Sequence, residues 1–251
     1  MKHIYAFERK EDYDTYGAII QKFNQKLKDY QMILEAGYGL RDLPKAVVWT
    51  TDELATTVFS DIPIPAYTNK HIIYMSPDLA EWRRILVKQL DGRELPEIQA
   101  FYENFSENQL FVILAHELTH HSDLFPDEFD DGREDSIWFE EGMCFYLPRK
   151  LLLSDTEMSE ITSVETKLVE AFAGDYGKNS LDHFGTDSYQ GKLPGIMYDY
   201  WRSFLAVRHL VEERYHQDVH AVFEAYHTWQ IEGRKMPLTQ FFGLEAIGKS
   251  R

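Results

Sequence analysis

Cysteine is nearly absent from this chain. Cys144 is the only one in 251 residues, so no intramolecular disulfide can form and no thiolate cage can hold a metal. Long apolar runs are missing too. The longest, Leu110 to Ala115, is far short of the roughly 20 residues that a membrane-spanning helix needs. Positive charge is scarce: 26 Lys and Arg stand against 42 Asp and Glu, a formal net charge of −16. That balance argues against nucleic acid and against anionic membrane surfaces as partners, since both require basic patches. Residues Met1 to Lys10 lack the apolar core of a signal peptide, and the expectation is a cytoplasmic protein. There is no internal repeat and no low-complexity tract.

An apolar fraction of 44% is ordinary for a globular chain with a substantial core. The expected organisation is one domain over 1–251, with an α/β lobe at 1–100 and a mainly helical lobe at 101–251. Residues 14 to 36 read as an amphipathic helix, with Tyr16, Ile19, Ile20, Phe23, Leu27, Tyr30 and Leu34 at helical spacing and Gly37 at its end. The period then changes. Ala46 to Trp49, Thr56 to Phe59 and His71 to Met75 are short β-branched or aromatic runs punctuated by Pro63, Pro65 and Pro77, the pattern of a small sheet. From Pro96 onward helices dominate. Ser106 with Gln109 forms a capping-box pattern, and Phe105 with Leu110 fits a hydrophobic staple around it. An acidic loop follows at 122–135, then a helix that Pro148 should end or kink near Leu147. Further helices are expected near 157–173, 200–215 and 219–229. The fold class is α+β, a small mixed sheet with an N-terminal helix plus a helical half.

The capped helix runs into His116-Glu117-Leu118-Thr119-His120. Two imidazoles four residues apart lie on one helix face and can share one metal ion, with the intervening glutamate beside it to act as a base. Trp138-Phe139-Glu140-Glu141-Gly142 follows, and a glutamate from that stretch would complete a three-ligand set with a fourth position for water. That is the arrangement of a catalytic zinc. Bound zinc brings the pKa of its water to about 7. Glu117 would accept the water's proton during attack on a carbonyl and pass it to the leaving amine.

His116-Glu117-x-x-His120 with Trp138-x-x-Glu141-Gly142 resembles the gluzincin class of zinc peptidases, and most closely its M1-type aminopeptidase branch. The resemblance covers about residues 105–215. It implies a two-lobed zincin-like domain, zinc as cofactor and a peptide or protein substrate. It also implies Glu141 as the third ligand, with Glu140 the neighbouring alternative. Tyr200, followed by Ser203 and an apolar helix face, is similar to the family's tyrosine-bearing helix, which implies that Tyr200 stabilises the oxyanion; Tyr198 could serve instead. Gluzincins place the edge strand that pairs with an extended substrate before the zinc helix, where His71 to Met75 stands, so that run is either this edge or an internal strand of the sheet. Two family features are missing here: the Gly-x-Met-Glu-Asn type motif that holds a free substrate amine, and the Asn-Ala-aromatic strand motif of thermolysin-like enzymes. Endo- and exopeptidase action both stay open.

Several neighbours of the motif have blander roles in view. His121 points about a hundred degrees away from the ligand face. Asp182-His183 could supply a transition-state donor, and Asp123 or Asp135 could orient a zinc imidazole. Cys144 reads as a small packed residue. Two other functions compete with catalysis: a regulatory protein on the same scaffold, echoed in Glu141-Gly-Met-Cys-Phe-Tyr-Leu147-Pro148, and a catalytically silent zinc-binding module. Nothing in the pattern specifies an oligomeric state.

Overall fold

Ile20, Phe23, Leu27, Tyr30 and Leu34 repeat at helical spacing and are all buried, giving the first helix one inner face. In the computed structural model, which describes residues 1–127, 129 and 135–244, that helix is α1 (Lys10–Gly37). Residues 128 and 130–134 of the expected acidic loop, Gly132 among them, lie outside the described residues, as do 245–251. The fold is α+β, mainly helical with a small mixed sheet. The chain divides into two compact units, 1–130 with 151–153 and 131–150 with 154–251. No helix of the described residues is long and apolar enough to cross a membrane.

The first unit holds the sheet. Its strands are β1 (Lys2–Ala6), β2 (Ala46–Thr50), β3 (Ala66–Thr68) and β4 (Ile72–Met75), in the order β1-β2-β4-β3. β1 and β4 flank β2 in parallel, and β3 runs antiparallel to β4. The all-buried sequence Ala-Val-Val-Trp-Thr marks β2 as an interior strand. α1 lies against this sheet through Phe23, whose ring contacts Trp49 of β2 at 6.4 Å.

One expectation from the sequence is corrected here, and one open choice is decided. Thr56 to Phe59 is not a strand. It lies in a helical segment, α2 (Asp52–Leu54) continuing into a π-helical turn at Ala55–Phe59. Thr51 caps its start by accepting from the Leu54 amide at 3.2 Å. The hydroxyls of Thr56 and Thr57 donate to the carbonyls of Asp52 and Glu53, four residues back. Such back-bonding lets β-branched threonines sit in a helix despite their strand propensity. The His71 to Met75 run is the internal strand rather than the edge: β4 pairs on both sides, and the three-residue β3 beyond it is the edge on that side.

α3 (Leu79–Lys88), capped by Asp78, and α4 (Pro96–Glu103), opened by its own proline, lead to α5 (Glu107–Thr119). The capping box expected at Ser106 and Gln109 is present in both directions, at 3.2 and 2.7 Å. α5 packs against α1, α3, β3 and β4, and Phe23 meets Phe111 at 5.5 Å. It is buried on most sides, as its apolar composition requires.

The second unit is helical: α6 (Ile137–Leu152), α7 (Asp155–Tyr176), α8 (Leu193–His209), a π-helical turn at Leu210–Arg214, α9 (Val219–Ile231) and α10 (Leu238–Phe241). Pro148 does not end α6, which continues to Leu152. Its last turn is anchored instead by Arg149, whose guanidinium makes two bonds to Glu165 of α7, at 2.9 and 2.6 Å. The same guanidinium lies over the rings of Phe145 and Phe204. Burial pushes the Glu165 carboxyl up from its ordinary range, and Arg149 offsets part of that rise.

Replacing Arg149 by Met should lower unfolding free energy by about 3–5 kcal/mol, because Glu165 is left as an unpaired buried carboxylate. The double variant Arg149→Met/Glu165→Leu should regain most of that loss. Chemical denaturation of the three proteins checks this; a double variant no more stable than the single one would contradict it.

Candidate metal centre

The four-residue spacing at the end of α5 places His116 and His120 on one face of its final turn. Their Nε2 atoms approach to 3.1 Å, with the rings nearly perpendicular and their centroids 4.8 Å apart. Two imidazole nitrogens converge this way when a proton or a cation lies between them. Across a tetrahedral zinc with bonds of 2.0–2.1 Å, two nitrogen donors would stand roughly 3.3 Å apart, so the spacing fits such an ion. His116 and Glu117 are buried, and His120 is half-buried.

Neighbouring elements hold this turn. Tyr30 of α1 shares a hydrogen bond with Thr119 at 2.8 Å, and Thr119 donates to the Ala115 carbonyl. His121 is neither a ligand nor on the surface. It is buried, and its Nε2 pairs with the Thr68 hydroxyl of β3 at 2.8 Å. The end of α5 is thereby tied to the sheet's edge strand.

Glu141 lies in the second turn of α6, and its neighbours fix that turn. Phe139 stacks on Tyr226 at 4.3 Å and on Phe242 at 5.7 Å. Trp138 donates its indole N–H to Asp182 at 3.2 Å. Asp182 also accepts from Ser180 and from both the amide and the hydroxyl of Thr239. The Asp182-His183 stretch therefore serves as an anchor for Trp138 through its aspartate. His183 sits in a short 3-10 turn at Leu181–His183.

Gly142 has a steric cause. A Cβ there would lie 2.4 Å from the Ser203 carbonyl oxygen and 2.6 Å from Val207 Cγ2. Only glycine lets α8 come this close to α6, which brings Tyr200 to Glu141: its hydroxyl is 3.4 Å from Glu141 Oε1. Tyr198, two residues earlier on α8, faces elsewhere, with its ring against Tyr176 and Arg202.

His116, His120 and Glu141 together form a group that could hold a metal ion, one ligand atom of each lying within 4.8 Å of the others. Glu140 is also buried but does not belong to that group. Two neutral imidazoles and a carboxylate are a donor set suited to zinc. Asp123 and Asp135 pair with arginines, at 3.5 Å to Arg41 and 3.0 Å to Arg234. Cys144 is buried in the apolar interior.

One residue at this centre has no signal in the sequence. Tyr189, in a 3-10 turn at Thr186–Gln190, donates to Glu141 Oε1 at 2.8 Å and lies 3.1 Å from the Tyr200 hydroxyl. Lost hydration and the adjacent Glu141 carboxylate hold its phenol well above the ordinary range, so it stays a donor. No spacing or motif marks it, because a chain turn far from α6 in sequence brings it there.

Gly142→Ala should destabilise the protein by about 1–3 kcal/mol, since the new methyl meets backbone that cannot rotate away. Thermal and denaturant unfolding would measure it. An alanine variant as stable as the parent would contradict the close approach of α8. Comparison with protein-family models, curated protein sequences and solved structures finds no match to this chain.

Proposed function

We propose that this protein is a zinc-dependent peptidase of gluzincin type, with a two-lobed zincin-like architecture and a peptide or protein as substrate. The observation that carries the reading is the group His116, His120 and Glu141, with ligand atoms within 4.8 Å and the buried Glu117 next to the first histidine in sequence. A zinc ion held there supplies Lewis acidity and acidifies a water molecule to a pKa of about 7.

The chain's own residues have the following parts. Glu117 is not in the ligand group, so its carboxylate serves to take a proton from the attacking water and deliver it to the leaving amine. Tyr200 is a phenol donor close to Glu141, and it hydrogen-bonds the oxygen on which negative charge develops. β3 supports the choice of an extended backbone as substrate. It is the edge strand next to α5, and an edge strand offers N–H and C=O groups for pairing without regard to side chains. Thr68, at the end of β3, is bonded to His121 and so holds that edge in a fixed place beside the histidine pair. β3, not the interior strand β4, is the edge beside α5 at which such pairing would take place.

Glu117→Gln should keep metal binding and reduce peptide hydrolysis by about 10²- to 10⁴-fold, the range that positioned acid–base catalysis contributes. The measurement is mass-spectrometric cleavage of a mixed peptide pool, with metal content determined on the same samples. Turnover equal to the parent's would remove Glu117 from the mechanism. A metal-loaded parent that cleaves no peptide would instead favour a regulatory role.

A further inference from the structure

We propose that Tyr189 is the positioning residue for Glu141, its hydroxyl fixing the carboxylate in the orientation used for metal binding. The proposal rests on the metal-binding reading above and adds a residue and a task to it.

Distance separates the two tyrosines. At 2.8 Å, the Tyr189 hydroxyl makes an ordinary O–H···O bond to Glu141 Oε1, whereas Tyr200 at 3.4 Å lies beyond the usual range. Hydrogen accounting gives the same order. An ionised carboxylate only accepts, and a phenol has one hydrogen to give. The Tyr189 hydrogen therefore goes to Glu141. Its oxygen then remains as an acceptor for Tyr200 at 3.1 Å, and Tyr200 is linked to Glu141 through Tyr189.

The support around Tyr189 suits a positioning task. Its turn closes on itself: the Gly185 amide donates to the Ser188 hydroxyl at 3.2 Å, and the Ser188 and Gly191 amides donate to the Gly185 and Ser188 carbonyls. Phe184, only 1% exposed, contacts the rings of both Tyr189 and Tyr200. Glu141 reaches out on a flexible side chain from α6, which by itself does not choose a carboxylate orientation. A single strong donor on a braced ring does. Residues that orient a metal ligand in this way are commonly worth 10- to 100-fold in affinity, roughly.

The test compares the parent, Tyr189→Phe and Tyr200→Phe. Zinc affinity is read by chelator competition, ligand geometry by the visible absorption of the Co(II)-loaded proteins, and folding by circular dichroism of the metal-free forms. Tyr189→Phe should fold like the parent, bind zinc about 10- to 100-fold more weakly and show a shifted Co(II) band. Tyr200→Phe should keep the parent's affinity and band. A Tyr189→Phe protein with the parent's affinity and band would overturn the proposal. So would a tenfold or greater loss, on the order of, in Tyr200→Phe, which also decides the matter if Tyr189→Phe does not fold. A parent that takes up no metal would overturn the metal-binding reading and this proposal with it, and that result is distinct from a parent that binds while Tyr189→Phe is unaffected.

Discussion

Burying a helix end that carries His116, Glu117, Thr119 and His121 is the constraint on which the rest of this structure depends. Polar groups removed from water are costly unless each finds a partner. The surroundings of α5 meet much of that demand specifically. Tyr30 reaches from α1 to Thr119, Thr68 from β3 to His121, and the two ligand-type imidazoles converge on each other. An apolar helix without those residues would pack more easily. Their presence in the interior is therefore best understood as serving the histidine pair.

The helical unit shows the same logic around a different residue. Glu141 is also buried, and α6 gives it a fixed position through large apolar anchors on one side and a missing side chain on the other. Phe139 and Trp138 lock the first turn. Gly142 admits α8 with Tyr200. Tyr189 supplies the hydrogen bond that a buried carboxylate needs. The Arg149–Glu165 pair farther along α6 carries no chemistry of this kind; its two bonds orient α7 against α6.

What could be read from the sequence follows from how local each signal is. The cap at Ser106 and the histidine spacing depend on residues three or four apart, and both are as expected. The inner face of α1 was equally plain, although the helix begins at Lys10, ahead of the apolar pattern. Legibility failed where distant partners decide. Thr56 and Thr57 look like strand residues until their hydroxyls bond back to the preceding turn. The place of β4 in the sheet stayed open because β3 contributes only three residues after a run of prolines. β1 has no alternation to reveal it, being an outer strand exposed along most of its length. Tyr189 is the extreme case, one of 15 tyrosines, set apart only by a turn that carries it to Glu141. That Tyr200 and not Tyr198 lies beside Glu141 depends on the direction of α8, which no spacing rule gives.

His116, His120 and Glu141 form a group that could hold one metal ion, and the proposed function requires that they bind it together. The most direct measurement is an anomalous difference map at the zinc edge from crystals of the zinc-loaded protein. The expected result is a single strong peak at roughly 2.0–2.2 Å from the Nε2 atoms of His116 and His120 and from a carboxylate oxygen of Glu141. A map with no peak at that position, or with Glu140 in place of Glu141, would contradict it.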